Sequence, residues 1–462
     1  MKALKLSQLA AMVGGRLQGE DAIIDAIATD TRALPMAGRA LFVALKGERF
    51  DAHDHLDAAA KAGVAAALVS RAVAVPLPQV VVADTARALA AFAASMQRDR
   101  NARVVAITGS NGKTSVKSLV LSILQRVAPT YANPGNRNNQ IGLPLAVLDA
   151  EDDAAFAIYE MGAGQPGDIA YLTDIARPDI ALVNNVAPAH LERMGSLLGV
   201  AVTKGAIYDA LAPDGVAVIN ADDAFAPFFA EKAHGRRLIR FGLEASADVT
   251  ARDIALSADG SRFILVTPEG ELAVALAMPG RHNVMNALAA ASLALGAGAS
   301  LAAIRDGLEA ARPVAGRLVA RRLDRGATLV DDSYNANPGS LHAAIDLLAS
   351  SGDEGWLVLG DMRELGDDAE LLHAEAGRRA KAAGVARLYA LGALSARAAD
   401  GFGDGARVFG SHDALAQALA QDLHERAGAT PAVRVLVKGS RGSAMDRVVK
   451  ALLPQGGTTD AA

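Results

Sequence analysis

Taken for its alternation of apolar and polar positions, the chain falls into short apolar runs separated by longer stretches of helical spacing. Val104, Val105, Ala106 and Ile107 form a β-branched run of the kind buried in a parallel sheet. Val116, Leu119, Val120, Ile123 and Leu124 then recur at helical spacing and give the next segment one apolar face. Phe156–Tyr159, Asp179–Val183 and Val216–Ile219 repeat the strand signal, with helical stretches at Val200–Leu211 and Val284–Leu295 and β-rich runs at Arg262–Val266 and Leu272–Ala277. This alternation predicts a mostly parallel, doubly wound sheet over residues 84–312.

Upstream, Ala40–Ala44 and Ala65–Val69 read as strands around a helix carrying Ala58–Ala62, a small α/β unit. The helical stretch Thr85–Gln97 and the polar Arg98–Arg103 mark its far side. Downstream, Arg312-Pro313 and Gly316 suit a linker. Ala327–Val330, Trp356–Leu359 and Val433–Val437 then predict a second, Rossmann-like unit. The expected fold class is α/β in three domains, residues 1–83, 84–312 and 313–462.

Composition narrows the picture. A chain of 462 residues exceeds one ordinary core. Half of it is hydrophobic, but only 4% is aromatic and alanine supplies much of the rest, so large cores without bulky packing are expected. A net charge of −5 argues against a nucleic-acid binder while permitting local basic pockets for an anionic ligand. The absence of cysteine excludes disulfides, thiolate metal sites and cysteine nucleophiles. The N-terminus has no apolar run long enough for a signal peptide and no later segment approaches a membrane span, so a cytoplasmic protein is expected. The tail Gln455–Ala462 reads as disordered.

The chemistry concentrates between the first central strand and its helix. Gly109-Ser110-Asn111-Gly112-Lys113-Thr114-Ser115 sits where a phosphate-binding loop belongs. Glycines let backbone N–H groups curl around phosphate, Lys113 adds a point charge and the Thr114 hydroxyl can reach Mg²⁺. The strict pattern wants a glycine where Ile107 stands. Glu160 and His190 follow strand ends at the ligand-binding edge of such a sheet; hard cations prefer oxygen, which ranks His190 below Thr114 and Glu160 as a metal ligand. Asn133–Gly142 is too rich in Asn and Gly for an element interior and reads as a surface loop or an amide-rich ligand contact. Lys204 reads as a solvated helix lysine, and Asn283 as an N-cap or a nucleotide contact. In the last unit three strands run into Asp331–Pro338, Gly360-Asp361-Met362 and Lys438–Gly442, delivering polar residues to one edge.

These motifs in this order resemble the Mur ligase family of peptidoglycan synthesis. Thr108–Ser115 is similar to the family's TGSNGKTS loop, which also lacks the early glycine. Gly135–Gly142, Val183–Leu191, Pro279–Ala287, Asp331–Pro338, Gly360–Gly366 and Val437–Arg441 match in turn. The DDSYNANP form resembles the branch that adds D-alanyl-D-alanine, and no DNPR signature of the diaminopimelate-adding branch occurs.

The resemblance implies an N-terminal UDP-recognition domain, a central ATPase domain and a C-terminal domain that closes on ligands. It implies an ADP-forming ligase that extends UDP-N-acetylmuramoyl-tripeptide with D-Ala-D-Ala through an acyl phosphate. Asp30, Thr31, Arg32 and Lys46 are then expected at the UDP moiety, and Asn138 and Asn139 at the muramoyl substrate. Gly109, Ser110, Asn111, Gly112, Lys113, Thr114, Ser115, Asn283, Arg317 and Asp331 are expected at ATP. Thr114 and Glu160 are expected at Mg²⁺, His190 at a second Mg²⁺, and Lys204 beside it as a carbamate. Tyr334, Asn335 and Lys438 are expected near the nucleotide or the incoming dipeptide. His190 or a phosphate oxygen could take the proton from the amine. A monomer is expected, without nucleic-acid partners. Rival readings are a folylpolyglutamate-synthase-like ligase, a nucleotide switch and a metabolite kinase, which differ in whether an amine is needed and what product forms.

Overall fold

A computed structural model describes residues 1–33, 39–188, 191–323, 326–428 and 430–453. The strand Arg103–Thr108 lies inside a six-stranded parallel sheet. The strand order is Arg237–Phe241, Val216–Asn220, Ile180–Val183, Arg103–Thr108, Phe156–Glu160, Thr130–Ala132. Both faces are covered by helices, which is why the central strands read as unbroken apolar runs. Register matters for the chemistry: Glu160 pairs with Ile107, so its carboxylate emerges at the edge where the glycine loop begins.

The P-loop helix, Lys113–Leu124, is held against the sheet by helices Arg281–Gly296 and Leu301–Ala310. The alanine-rich Arg281–Gly296 is buried on almost every side, since small side chains let neighbours approach it all round. It starts earlier than its apolar spacing suggests. Asn283 is therefore inside the first turn and is not the N-cap; Gly280 takes that position. The β-rich runs form an antiparallel hairpin, Ser261–Thr267 with Gly270–Leu276, joined by a third strand, Thr250–Leu256. That third strand escapes the pattern because its side chains are mostly exposed and its pairing shifts register between Arg252 and Ala255.

The N-terminal sheet has five strands, of which Ala40–Val43 and Ala66–Val69 form the buried centre. The C-terminal sheet runs Val319–Arg322, Thr328–Asp332, Val433–Lys438, Glu354–Gly360, Arg387–Leu391, Ala406–Phe409, parallel except for its first strand. The three strands expected to deliver polar residues to one edge are neighbours in it. Asp332 stands opposite Lys438.

Packing separates these units unequally. One apolar cluster runs from Leu6, Leu41 and Leu68 of the first unit through Phe92 into Val104, Leu143 and Phe229 of the second. The two clusters of the last unit contain only residues from Leu318 onward. The first two units thus share a core, while the third meets them through other contacts. No helix among the described residues is long and apolar enough to cross a membrane. The tail expected to be disordered lies outside the described residues.

Helix Leu301–Ala310 reaches the P-loop helix through a glycine. Ser122 Oγ donates to the Gly307 carbonyl at 2.7 Å, and a Cβ on Gly307 would fall 2.5 Å from the Ile123 Cα. Overpacking of this kind costs about 1–3 kcal/mol. Gly307→Ala is therefore expected to lower the melting temperature by roughly 3–8 °C. An unchanged melt would contradict this close helix contact.

Candidate active site

The glycine loop is shaped by the groups behind it. Gly112 has φ of +79°, and a Cβ there would collide with the side-chain amides of Asn286 and Asn184. Those amides belong to a relay. Asn283 Nδ2 donates to the Pro279 carbonyl (2.8 Å) and Asn286 Nδ2 to Asn283 Oδ1 (3.1 Å). Asn184 Nδ2 lies 3.2 Å from Asn286 Oδ1 and 3.0 Å from the Asn111 carbonyl. On the other flank the backbone N–H groups of Ser110 and Asn111 donate to the Asn185 carbonyl and Oδ1, at 2.9 and 2.8 Å. Lys113 folds back to donate to the Gly109 carbonyl at 2.7 Å. Burial pushes its pKa down, Glu160 opposes this and the Arg317 charge adds to it.

Glu160 is 3% exposed and fully engaged. Thr114 Oγ1 donates to Oε2 at 2.9 Å and Asn138 Nδ2 to Oε1 at 2.8 Å. Lys117, one turn along the P-loop helix, brings its ammonium to 3.5 Å from Oε2. Burial alone would raise this carboxyl; the charges on Lys113 and Lys117, with the two hydrogen bonds, outweigh it and hold the group below its ordinary range.

Two cavities meet at the loop. One, of about 320 Å³, is lined by Asn111, Gly112, Ser115, Asn283, Arg317 and Lys438. The other, of about 510 Å³, is lined by Lys113, Asn138, Asn139, Glu160, Arg317 and Tyr334. Arg317 borders both, its guanidinium stacked over the Tyr334 ring at 4.2 Å, and Arg441 lies beyond that ring at 5.6 Å. Asn335 also faces the second cavity. The loop tip is bonded across the domain boundary: Asn337 Nδ2 donates to Asn111 Oδ1 at 2.7 Å while Asn337 Oδ1 caps the following helix at Ser340 N.

The other candidate residues are placed less uniformly. Lys204, expected as a solvated helix lysine, is 2% exposed and its ammonium has no hydrogen-bond or ion-pair partner among the described residues. Burial, then Lys113, pushes its pKa far down. His190 lies outside the described residues. Asp331 accepts from Ser333 within its own turn, and Asp332 faces the first cavity instead. Buried Lys438 pairs with Asp332 at 2.5 Å and donates to the Asn335 carbonyl at 3.1 Å. Asp30, Thr31 and Arg32 line a separate hollow of about 540 Å³ with Phe42, Phe50 and His55. Asp30 and Arg32 pair with each other there at 2.7 Å. Lys46 stands exposed outside that lining, in a backbone bridge to Asp51.

Sequence reasoning named none of Lys117, Asn133, Asn286 or Asn337 individually, although Asn133 and Asn337 lie in the stretches Asn133–Gly142 and Asp331–Pro338 that it singled out. Asn286 carried a local signal in its spacing from Asn283 on one helix face, and Lys117 carried none.

The Mur ligase middle domain profile matches residues 107–294, and the Mur ligase, glutamate ligase domain profile matches residues 316–441. The chain is 44% identical over 457 residues to the UDP-N-acetylmuramoyl-tripeptide--D-alanyl-D-alanine ligase of Escherichia coli strain K12, covering 99% of this chain and all of that protein. It resembles crystal structure I of MurF from Acinetobacter baumannii with TM-score 0.92 and 34% identity, over 98% of this chain and 99% of that one. A MurF ligase from Thermotoga maritima in complex with ADP gives TM-score 0.81 and 27% identity, over 92% and 96% of the two chains.

Two outcomes follow from this geometry. Asn337→Ser keeps a helix cap but cannot span to Asn111; losing one hydrogen bond of about 1 kcal/mol should weaken nucleotide binding by about fivefold with little change in melting temperature. Calorimetric titration with ATP checks this, and unchanged affinity would rule out a role for the interdomain bond. The second concerns His282, at the rim of the first cavity. Burial, reinforced by Lys438, lowers it from 6.5 to about 4. The unfolded chain then takes up the proton first, so His282 costs stability as pH falls from about 6.5 towards 4 and costs none above that window. Melts at pH 5 and pH 7.5 should differ less for His282→Gln than for the unaltered protein.

Proposed function

The chain belongs to the Mur ligase family, and we propose that it is the member that joins D-alanyl-D-alanine to UDP-N-acetylmuramoyl-tripeptide at the expense of ATP. The observation that carries this reading is the meeting of two cavities on one phosphate-binding loop, with Arg317 bordering both and Lys113 lining the second. An acyl-activating ligase needs a nucleotide's terminal phosphate next to a second substrate's carboxylate. On this reading the N-terminal recognition domain is residues 1–83, the ATPase domain 84–312 and the closing domain 313–462.

ATP places its base and ribose in the cavity lined by Asn283 and Arg317, with its phosphates on the N–H groups of Gly109–Ser115. The phosphates replace the carbonyl oxygens that Lys113 now holds, and their charge favours the protonated lysine. The UDP moiety of the donor rests in the hollow of Asp30, Thr31 and Arg32, with Lys46 near it, and its muramoyl part against Asn138 and Asn139. This directs the tripeptide carboxylate towards Lys113. A carboxylate oxygen attacks the γ-phosphorus in line, the bond to the bridging oxygen breaks, and ADP leaves. Lys113 and Arg317 offset the repulsion between the two anions. The amine of D-Ala-D-Ala then attacks the acyl carbonyl, loses a proton, and expels phosphate as the amide forms. Closure of the last domain, with Tyr334 and Asn335 over the donor cavity, keeps water from the acyl phosphate.

Thr114 and Glu160 fit Mg²⁺: they are oxygen donors 2.9 Å apart, and the carboxyl is held ionised. When bound, the ion supplies positive charge against the phosphates. A neutral amine is the form that reacts with CO₂, and the burial of Lys204 favours that form. Its carbamate would place an anion near Lys113 and join His190 at a second ion.

Phosphate release should require both UDP-N-acetylmuramoyl-tripeptide and D-Ala-D-Ala, and the product should have the mass of the pentapeptide. Release without an amine would refute ligation. Lys204→Ala should lose about 10²-fold or more in kcat and regain part of it with a small added carboxylate; full unrescued activity would exclude carbamylation. Glu160→Gln should raise the Mg²⁺ requirement and cut turnover far more than it weakens binding of the UDP substrate. An unchanged Mg²⁺ titration would count against its assigned role.

A further inference from the structure

The P-loop helix carries a second buried lysine that the reaction as described does not use. Lys117 is 7% exposed, and its ammonium has two carbonyl acceptors and one carboxylate as ion-pair partner. It donates to the carbonyls of Asn133 (2.8 Å) and Gly135 (3.2 Å) and faces Glu160 Oε2 at 3.5 Å. The two carbonyls begin the segment that ends in Asn138 and Asn139, the wall of the donor cavity.

The same segment grips the strand of Glu160 at four further points. Asn133 Oδ1 accepts from the Glu160 N–H at 2.9 Å, and Asn133 Nδ2 donates to the Glu160 carbonyl at 3.1 Å. The Asn138 carbonyl accepts from Gly162 N at 2.8 Å, and its side chain donates to Glu160 Oε1 at 2.8 Å. The donor wall and the carboxylate beside the P-loop form one hydrogen-bonded body. Lys117 is the cation that reaches both the segment's carbonyls and Glu160, and it comes from the helix that also carries Lys113 and Thr114.

We propose that Lys117 is a positioning residue that ties the donor wall to the carboxylate at the P-loop, so that filling the nucleotide site raises affinity for the UDP-linked donor. Glu160 Oε2 is shared by Thr114 and Lys117, and it is the same oxygen that a cation held by Thr114 and Glu160 would draw on. With a cation at that oxygen, its hold on Thr114 and Lys117 would loosen. The Lys117 ammonium then leans on the Asn133 and Gly135 carbonyls and fixes the wall in its binding shape. Coupling of this kind is reciprocal. The inference rests on the ligase reading above, because it takes the second cavity as the donor's.

The test is calorimetric titration of the full chain with UDP-N-acetylmuramoyl-tripeptide, with and without Mg²⁺ and a non-hydrolysable ATP analogue. In the unaltered protein the analogue should tighten donor binding by about fivefold or more, a coupling of ordinary size. In Lys117→Met that ratio should fall to about one and the KM for the donor should rise at least tenfold, while affinity for the ATP analogue in the absence of donor moves less than threefold. Lys117→Arg, which keeps the charge, should recover part of the ratio. If Lys117→Met does not fold, Lys117→Gln takes its place, with the same expected loss of coupling. A folded neutral variant that keeps the full ratio overturns the proposal, as does an unaltered protein with no coupling. Failure of the unaltered protein to bind the UDP donor in either state would instead overturn the ligase reading itself.

Discussion

The active region depends on one buried carboxylate among cations. Glu160 emerges from the sheet beside the P-loop with Lys113 and Lys117 as its nearest opposite charges and two side-chain donors on its oxygens. A carboxylate so deeply buried is costly unless paired and hydrogen-bonded, and here both conditions hold. Because its partners come from the P-loop helix and from the Asn133–Asn139 segment, meeting its needs fixes three pieces of chain relative to one another. The site is preorganised by that requirement, before any substrate arrives.

Around this carboxylate, positive charge is in excess. Lys113, Lys117, Lys204, Arg317 and Lys438 gather there against Glu160, Asp168 and Asp332, although the whole chain carries −5. The pKa values of Lys113 and Lys204 are both pushed down, each for reasons of burial first. A site in this electrostatic condition gains most from a polyanion. A triphosphate meeting a carboxylate is such a ligand, and overall net charge gives no hint of it.

The division of the cores sets what can move. The first two units share an apolar cluster, so separating them would expose its surface. The last unit keeps its own clusters and touches the P-loop through the Asn337–Asn111 bond, with Arg317 and Tyr334 nearby. A polar contact of that kind can be broken and remade at small cost. That suits a unit which must admit three substrates and then exclude water.

Much of this was legible in the residues themselves. Alternating apolar runs and helical spacing identify the parallel sheets, because a strand buried on both faces must be apolar throughout; Gly-Lys-Thr after such a strand identifies the phosphate loop. Fold class and the nucleotide chemistry follow from these local rules. The short edge strands, the exposed strand Thr250–Leu256 and the true start of the helix at Arg281 did not, since exposed or capped segments carry no periodic signal. Tertiary structure alone decided that Lys204 is buried without a partner among the described residues, that Asp332 rather than Asp331 faces the first cavity, and that Lys117 joins Glu160 to a loop sixteen residues further on. The physical reason is the same in each case. Charge environment and hydrogen-bond partnership depend on distances through space between segments far apart in the chain, and local patterns of hydrophobicity do not encode them.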